Sequence, residues 1–415
     1  MQVPVDIAVD GDGSTIIAGN FGGSLDIGEA QLVGHETDDV FVIKLGPSGA
    51  PVWSRSFGDD DLQHVQRIST DADGNVLLIG DFRGTIDLGG GPLASAGARD
   101  IFVAKLDPSG RHVWSKRLGG AHDQLGRGIA ADRDGNVLIA GTLWGSVDFG
   151  GGVMTSAGGD DLFVAKLDRS GEYVWARTYG DQETQEASDL TVDGQGNVVV
   201  TGYALGVVDF GDGPTVGAGM PDAILVKLDK NGSTLWSHRF GDEDTQFGHS
   251  VGVDDEGSVV MAGAARGSID FPDGAFHSAG AYDLYVAKFD AAGELLWHRQ
   301  FGDAQDQSSI AVSIDRAGAV LLTGSFEGSL AFGCSPLVSA GKTDAFAAKL
   351  DPYGDPLWSW SMGDADPQAA TGIIGAPGGN IVVTGELLGT IGLKFHPLPA
   401  AGDMSSDIFL ARFRP

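Results

Sequence analysis

Short runs of apolar and β-branched residues alternate with turn sequences along the whole chain, and no segment has the spacing of an amphipathic helix. In one representative stretch, residues 67–71 and 76–79 flank the turn Asp-Ala-Asp-Gly, and residues 101–106 and 112–118 flank Asp-Pro-Ser-Gly. Each turn ends in a glycine that can adopt a positive φ, which is typical of tight β-hairpins. The pattern therefore predicts two hairpins, or four antiparallel strands, joined by residues 80–100.

The same pattern recurs every 61 residues. Tryptophan keeps this step at Trp53, Trp114, Trp175, Trp236, Trp297 and Trp358. Glutamine keeps it at Gln2, Gln63, Gln124, Gln185, Gln246, Gln307 and Gln368. The repeat units are 1–61, 62–122, 123–183, 184–244, 245–305, 306–366 and 367–415. Because a lone four-stranded sheet buries one face poorly, seven of them must stack on each other.

Stacked four-stranded units at this period predict an all-β fold, a seven-bladed β-propeller of antiparallel blades that forms one domain over residues 1–415. A linear solenoid is the alternative; its units normally have a shorter period, and polar capping repeats are missing here. The last unit has an insertion near residues 403–406 and lacks the equivalents of Ser109 to His122. We therefore expect its blade to lack the outer strand. Either the native flank of an excised domain or a partner protein is then expected to donate a strand there by β-augmentation.

Several motifs resemble a known repeat family. They are Ala8-Val9-Asp10, Asp73-Gly74-Asn75, the run from Phe102 to Gly110, and Val113-Trp114-Ser115. Together they are similar to the bacterial SBBP (seven-bladed β-propeller) repeat, over essentially the whole chain. The resemblance implies a propeller in a bacterial, often exported, protein, at an extracellular or cell-envelope location. It implies no common catalytic motif.

Composition excludes several classes of partner. Asp and Glu number 57 against 26 Lys and Arg, which gives a net charge of −31. Such a chain disfavours binding to nucleic acid or to anionic lipid. No apolar run is long enough for membrane insertion, and residues 1–10 lack the pattern of a signal peptide. Cys334 is the single cysteine, so no intrachain disulfide can form and the redox compartment stays open.

Two repeated side chains are interpreted as scaffold. The tryptophans are expected to pack between neighbouring blades. The third strand carries Lys44, Lys105, Lys166, Lys227, Lys288 and Lys349, with Arg412 in the last unit. A structural ion pair is expected for each of them, with Asp26, Asp87, Asp148, Asp209 and Asp270 as candidate partners.

Acidic residues in two kinds of loop are candidate binding groups. The first three hairpin turns carry the pairs Asp10 and Asp12, Asp71 and Asp73, and Asp132 and Asp134, which resemble the start of a calcium loop. The rest of that loop is missing, so a plain turn is favoured over calcium binding. The connection between units carries Asp59, Asp181, Asp242, Asp303 and Asp364 beside the repeated glutamines. The glutamines either cap backbone groups or donate to a ligand at the channel face, and the carboxylates either bind or form a solvated acidic surface.

No catalytic motif is found. The nine histidines occupy no repeated position and form no metal-binding pair, and no nucleophile elbow, Walker loop or dinucleotide fingerprint is present. The sequence therefore favours a non-catalytic binding or scaffolding propeller without a cofactor, whose acidic loop face contacts a protein or glycan. One alternative is a carbohydrate-binding protein with equivalent pockets between blades. The other is an enzyme with a loop-built site, which predicts a polar cluster confined to one or two blades.

Overall fold

Each of the first six repeats forms a four-stranded antiparallel sheet in the computed structural model, and the first strand of each begins at the repeated glutamine. The structure describes residues 2–35, 37–333, 335–393, 396–399 and 406–413. Cys334 and most of the insertion expected near residues 403–406 lie outside the described residues. The fold is an all-β, seven-bladed propeller, as the repeat predicts.

Backbone contacts divide the chain into two units, with the division inside the fourth repeat. The first unit comprises Met1–Val200, Gly206–Pro214 and Leu228–Thr234. The second comprises Thr201–Leu205, Thr215–Lys227 and Leu235–Pro415.

The first three repeats, all in the first unit, contain eighteen strands. These are β1 Gln2–Val9, β2 Thr15–Phe21, β3 Ser24–Ile27, β4 Ala30–Val33, β5 Asp39–Leu45, β6 Pro51–Phe57, β7 Gln63–Thr70, β8 Val76–Phe82, β9 Thr85–Asp87, β10 Pro92–Ala94, β11 Asp100–Leu106, β12 His112–Leu118, β13 Gln124–Ala131, β14 Val137–Leu143, β15 Ser146–Asp148, β16 Val153–Thr155, β17 Asp161–Leu167 and β18 Tyr173–Tyr179. Their blade sheets have the orders β1-β2-β5-β6, β7-β8-β11-β12 and β13-β14-β17-β18.

The fourth to seventh repeats continue the pattern. Their strands are β19 Gln185–Val192, β20 Val198–Ala204, β21 Val207–Asp209, β22 Pro214–Val216, β23 Asp222–Leu228, β24 Thr234–Phe240, β25 Gln246–Val253, β26 Val259–Ala265, β27 Ser268–Phe271, β28 Gly274–His277, β29 Asp283–Phe289, β30 Leu295–Phe301, β31 Gln307–Ile314, β32 Val320–Phe326, β33 Ser329–Leu330, β34 Leu337–Val338, β35 Asp344–Leu350, β36 Pro356–Met362, β37 Gln368–Gly375, β38 Ile381–Leu387, β39 Thr390–Leu393, β40 His396–Pro399 and β41 Asp407–Phe413. A 3₁₀ turn, Pro377–Gly379, lies between β37 and β38. The described residues contain no helix long and apolar enough to cross a membrane.

The connection between the second and third blade strands contains a short hairpin in every repeat, such as β9–β10 in the second. No strands are predicted for this connection from the sequence. Its strands are only two to four residues long in the seven repeats, so each carries too few positions for a clear alternation of apolar and polar residues. A short signal of this kind is hard to recognise from sequence.

The cores lie between successive blades. One cluster in the first unit joins the first and second blades through Val42, Phe82 and Phe102, and another joins the second and third. The second and third strands of a blade, such as β8 and β11, are buried at every position because both of their faces pack against other strands. Their continuous apolar sequence follows from this burial.

The last blade contains three strands in the order β37-β38-β41 among the described residues, which confirms the expected loss of the outer strand. The third strand is correspondingly less covered than in the other blades. Arg412 is exposed and Ile408 is half-buried, whereas every residue of β11 is buried. A strand donated to β41 by a partner stays a prediction.

The repeated tryptophans join neighbouring blades, as the sequence analysis expects. The Trp53 indole Nε1 donates to the carbonyl oxygen of Pro108 at 3.0 Å. In each equivalent bond the acceptor lies 55 residues after the tryptophan. The other donors within a unit are Trp114, Trp175, Trp236 and Trp297, with distances of 3.0–3.2 Å. Each bond therefore links the outer strand of one blade to a turn of the next.

The structural ion pair expected for the repeated lysine is present and its partner is a loop carboxylate, but the candidate partners named from the sequence are wrong. Lys105 Nζ lies 2.7 Å from Asp71 Oδ2, in the turn between the first and second strands of its own blade. Equivalent pairs are Lys44 with Asp10, Lys166 with Asp132, Lys288 with Asp254, and Lys349 with Asp315. Asp87, one of the expected partners, instead accepts hydrogen bonds from the backbone N–H groups of Gly89 and Gly91. Asp148 and Asp209 do the same in their hairpins, because an Asx side chain readily closes its own tight turn.

Candidate functional site

The repeated glutamines form buried clamps at the end of each blade where its first strand begins, which we call the loop end. Gln63 Nε2 donates to Asp59 Oδ1 at 2.6 Å, and the Asp59 backbone N–H donates to Gln63 Oε1 at 3.1 Å. Asp59 Oδ2 accepts from the Thr85 backbone N–H at 2.8 Å. The clamp thus joins the connection between blades to the short hairpin, which is the backbone-capping alternative of the sequence analysis.

The same arrangement recurs along the chain. The glutamine–aspartate hydrogen bond is also found for Gln185 with Asp181, Gln246 with Asp242, Gln307 with Asp303, and Gln368 with Asp364. Gln124 faces Gly120 instead of an aspartate and accepts from its backbone N–H, and Gln2 donates to the carbonyl oxygen of Ser24. From Gln63 to Gln307 these glutamine side chains are fully buried, and Gln368 is 1% exposed. The clamp side chains already hydrogen-bond to each other and to the backbone, so contacts with a ligand are expected from the residues beside them.

A buried aspartate begins the third strand of each of the first six blades and lies against the connection that carries the clamp. Asp161 accepts from the Ala157 backbone N–H through Oδ2, while its Oδ1 has no hydrogen-bond partner. Burial raises the pKa of Asp161, and nearby Asp181 contributes to the same shift. The unpartnered oxygen lies against Gly180, where an added methyl group would overlap it. The glycine of the connection between blades is therefore required by packing.

The calcium candidates are divided between two environments. Asp71 is buried and accepts from the Asp73 and Asn75 backbone N–H groups, the Asn75 amide and Lys105. Asp73 itself is exposed, as are Asp12 and Asp134, whereas Asp10 and Asp132 are buried like Asp71. Among the residues that the structure describes, no group of three or more His, Cys, Asp or Glu side chains could hold a metal ion. Calcium binding at these turns stays a prediction.

Three positions at the loop end differ from blade to blade although the surrounding backbone repeats. They are the residue after the repeated glutamine, the next-to-last residue of the second strand, and the residue before the third strand. Through the first six repeats the first position holds Val3, His64, Leu125, Glu186, Phe247 and Ser308. The second holds Asn20, Asp81, Thr142, Tyr203, Ala264 and Ser325. The third holds Asp38, Arg99, Asp160, Pro221, Tyr282 and Thr343. Positions that the scaffold requires hold the same residue in every repeat, whereas these three do not. Each blade can therefore make a different contact with a ligand at these positions.

In the first unit these positions form a charged group, the Asp81 cluster, made of Asp38, His64, Asp81, Arg99 and Asp123. Asp81 is 1% exposed, and its Oδ2 lies 3.8 Å from His64 Nδ1 and 3.7 Å from Arg99 Nη1 without a hydrogen bond to either. His64 Nε2 lies 3.4 Å from Asp38 Oδ2. Interaction with Asp81 raises the pKa of His64, with a further contribution from Asp38.

Arg99 is the positive centre of the Asp81 cluster. It contacts Asp123 Oδ2 through Nη2 at 3.3 Å. Asp160 lies close by, and burial raises its pKa, with further contributions from the charges of Glu186 and Asp123. Carboxylates therefore outnumber the cationic groups here, and this end of the first unit carries negative potential.

In the second unit the same positions form the aromatic cluster of Tyr203, Phe247, His249 and Tyr282. Phe247 is central: its ring centroid lies 5.1 Å from that of Tyr203 in an edge-to-face arrangement, and 6.2 Å from Tyr282 in a stacked one. The His249 ring stacks on it at 5.8 Å. All four side chains are partly exposed. An open group of aromatic faces is a surface on which a flat or cationic group can bind.

A third polar group links the first strands of three blades in the first unit. Arg67 Nε donates to Asp189 Oδ1 at 3.2 Å, and Asp6 Oδ2 accepts from the Ile68 backbone N–H at 2.9 Å. Burial raises the pKa of Asp6 to about 6, and the charge of Arg67 limits this rise. The equivalent residue of the third repeat is Gly128, where an added methyl group would overlap Leu190. None of these residues is a candidate in the sequence analysis.

The comparisons with known proteins agree with this architecture. Residues 113–146, which run from the fourth strand of one unit into the next unit, match the SBBP family, described as a β-propeller repeat. The SBBP match covers this one segment of the chain. The resemblance drawn from the sequence motifs is confirmed, and the matched segment contains one of the repeated tryptophans and one of the clamp glutamines.

Two curated relatives resemble this chain at low identity. An uncharacterized WD repeat-containing protein of Acanthamoeba polyphaga mimivirus is 26% identical over 80% of this chain and 30% of its own length. The regulatory protein FlaEY of Caulobacter vibrioides is 26% identical over 53% of this chain and 24% of its length. The chain thus spans less than a third of these curated relatives.

Solved propellers resemble this chain in fold. The β-propeller domain of the Trilobed protease from Pyrococcus furiosus is 10% identical, with a TM-score of 0.47, over 96% of this chain and 95% of that one. An ulvan lyase is 11% identical, with a TM-score of 0.48, over 91% of this chain and 88% of that one. Likeness at this level concerns the fold and carries no argument about function.

Proposed function

We propose that this chain is a non-catalytic binding or scaffolding propeller that holds a protein partner at the loop end of its blades. The observation that carries the proposal is the divergence of three positions within a repeating scaffold. In the first unit, His64, Leu125 and Glu186 occupy equivalent positions yet differ in charge, size and shape. A ligand with several different chemical groups fits such a surface better than a ligand that repeats seven times.

The clamp side chains fix the loops while the side chains beside them are partly exposed, and this difference supports the proposal. Clamp residues such as Gln63 and Asp59 bond to each other and to the backbone, so they hold the loops in place. The neighbouring residues are held by this frame and partly exposed, for example Arg99 at 38% and Asp123 at 35% of their side chains. A rigid backbone that presents unlike side chains loses little conformational freedom on binding.

His64 favours binding over catalysis. Both of its ring nitrogens face carboxylates, Asp38 on one side and Asp81 on the other. These contacts raise the pKa of His64 because they stabilise the protonated ring, which suits an ion-paired contact. The Asp81 cluster takes residues from three repeats, whereas the enzyme alternative predicts a cluster confined to one or two blades, and its charges suit the recognition of a charged partner.

The test compares proteins retained by the intact chain and by two sets of variants. The loop-end set combines Asp38→Asn, His64→Gln, Arg99→Gln and Glu186→Gln. We expect proteins bound by the wild-type chain in a pull-down to be lost or reduced at least about tenfold by this set, since several polar contacts are removed together.

A matched set at the opposite end of the blades provides the control. Asp12→Asn, Asp73→Asn and Asp134→Asn alter exposed carboxylates in the turns between first and second strands. This set is expected to retain the partner. Loss of the partner in the control set alone, or equal retention by both sets, would contradict a loop-end contact.

Carbohydrate binding is a second candidate, which equivalent cavities between blades favour. One cavity of about 710 Å³ is lined by Lys288, Leu296, Trp297 and Tyr353. Another of about 420 Å³ is lined by Lys105, Val113 and Trp114, three repeats earlier. Each combines an exposed aliphatic side chain with an indole and a charged pair, and repetition of such pockets would give avidity.

A glycan array tests this candidate. If sugars occupy these cavities, Tyr353→Ala is expected to reduce the signal, because Tyr353 is 76% exposed beside Trp297. Stacking of a sugar on one aromatic side chain corresponds to a loss of about tenfold or less. An array without signal would contradict the candidate.

A further inference from the structure

The aromatic cluster stands in a strongly acidic part of the loop end. The Tyr282 backbone N–H donates to Asp306 Oδ1 at 3.2 Å, so an exposed carboxylate lies directly beside the cluster. Exposed Glu327 lies beside Asp306, since the Glu327 backbone N–H donates to the carbonyl oxygen of Asp306 at 3.0 Å. Glu243 and Asp244, in the loop before β25, are exposed as well.

Among the described residues, one basic side chain contacts a carboxylate of this group. Arg266 lies 3.8 Å from Asp244, and both side chains are more than half exposed. Such a contact is weak, and in the part of the chain that the structure describes neither Asp306 nor Glu327 forms an ion pair. The potential around the rings is therefore negative, and a cationic ligand lowers the electrostatic energy of this surface.

Aromatic faces add a second attraction for the same kind of ligand. A guanidinium or ammonium group over an aromatic ring gains cation–π energy, and the gain is larger when the site excludes water. Phe247 offers a ring that is packed from three sides by Tyr203, His249 and Tyr282 and still partly exposed. Packing from three sides fixes the ring, so little side-chain entropy is lost when a ligand binds.

Resting on the proposed function, we propose that the partner is recognised through a basic peptide segment, with one of its Arg or Lys side chains against Phe247 and Tyr282. Asp306 and Glu327 neutralise the charge of that side chain or of its neighbours. A neutral sugar could lie on the same rings, but it gains nothing from the surrounding negative potential. Charge complementarity thus favours the peptide.

The test uses short capped peptides of defined sequence with the full chain. An alternating Arg–Gly hexapeptide is compared with a Glu–Gly hexapeptide and with chitohexaose by isothermal titration calorimetry. The Arg–Gly peptide is expected to bind, more weakly as salt concentration rises, and the other two are not.

Variants locate the binding site. Phe247→Leu keeps apolar volume and removes the aromatic face, so the dissociation constant of the Arg–Gly peptide is expected to rise about tenfold. Tyr282→Leu is a second variant, should the first affect folding, and Asp306→Asn is expected to weaken binding and to reduce its salt dependence. Tyr353→Ala, which removes an exposed aromatic ring at the opposite end of a blade, is expected to leave binding unchanged.

Several outcomes would overturn the inference. They are equal affinity of the wild type and both leucine variants for the peptide, no binding of the peptide, or binding of chitohexaose that depends on Phe247. The proposed function fails separately: a partner that is lost with the loop-end set in the pull-down keeps the binding role even if the basic peptide does not bind.

Discussion

Replacing Lys105 with methionine is expected to lower the free energy of unfolding by about 3–5 kcal/mol. Lys105 Nζ and Asp71 Oδ2 are 2.7 Å apart, and their side chains are 5% and 2% exposed. Methionine has a similar length but no charge, so Asp71 would remain buried without its cation. Urea denaturation of the wild type and the variant near neutral pH measures the difference.

A surface pair provides the matched control. Lys116 and Glu172 are 3.0 Å apart, but 29% and 72% of their side chains are exposed. Lys116→Met is therefore expected to cost less than about 1 kcal/mol. Adding Asp71→Asn to Lys105→Met is expected to recover part of the loss, and a double variant no more stable than the single one would contradict the role assigned to the buried charge.

The pH dependence of the Lys105 variant follows from Asp71. Burial raises the pKa of Asp71, but hydrogen bonds from Lys105 and Asn75 more than offset this and leave the pKa lowered. The ionised carboxylate therefore stabilises the wild type above the unfolded-state pKa, and this contribution is lost as pH falls through the folded-state value. We expect the difference between wild type and Lys105→Met to shrink in acid.

Substitution of Gly180 by alanine is expected to have the second large effect, a loss of about 3 kcal/mol, because the new methyl group overpacks a filled site. It would overlap the Asp161 carboxylate and lie 2.6 Å from Gln185 Oε1. Asp161 is nearly fully buried and Gln185 is fully buried, so neither can move into solvent. A thermal melt of the variant is expected to show a clearly lower midpoint than that of the wild type.

Gly11→Ala is the control for Gly180→Ala. No atom lies within 4 Å of the position that a methyl group would take at Gly11, and the equivalent residue of the second repeat is already alanine, Ala72. Its stability is expected to stay within about 0.5 kcal/mol of the wild type. Similar losses for both glycines would show that backbone flexibility, and not overlap with Asp161, determines the effect.

Most of the fold could be predicted from the repeat. A step of 61 residues, with tryptophan and glutamine in register, indicates four-stranded blades, and the shortened last unit indicates a blade of three strands. The partner of the repeated lysine could not be found in this way. Spacing excludes a partner five residues away on the same strand, but it does not show that the turn of the neighbouring hairpin places Asp71 beside Lys105.

The candidate site shows the opposite limit of the repeat. Searching for residues that recur selects the clamp, such as Gln63 and Asp59, because the scaffold must be the same in every blade. Residues at which blades differ, such as His64 and Phe247, have no recurring pattern, and only the structure brings Asp81 beside Arg99. Divergence at a position that directly follows a repeated residue is the sequence signal that could have found them.

The acceptor of each tryptophan hydrogen bond is a backbone carbonyl, and this has a consequence for how such a chain can change over time. The residue that supplies the carbonyl is Pro108, Arg169, Lys230, Ala291 or Pro352, so its side chain takes no part in the bond. Any amino acid that fits the turn can accept. Whole repeats could therefore be duplicated, lost or exchanged between genes without a matching mutation in the adjacent blade, while the loop ends diverge independently.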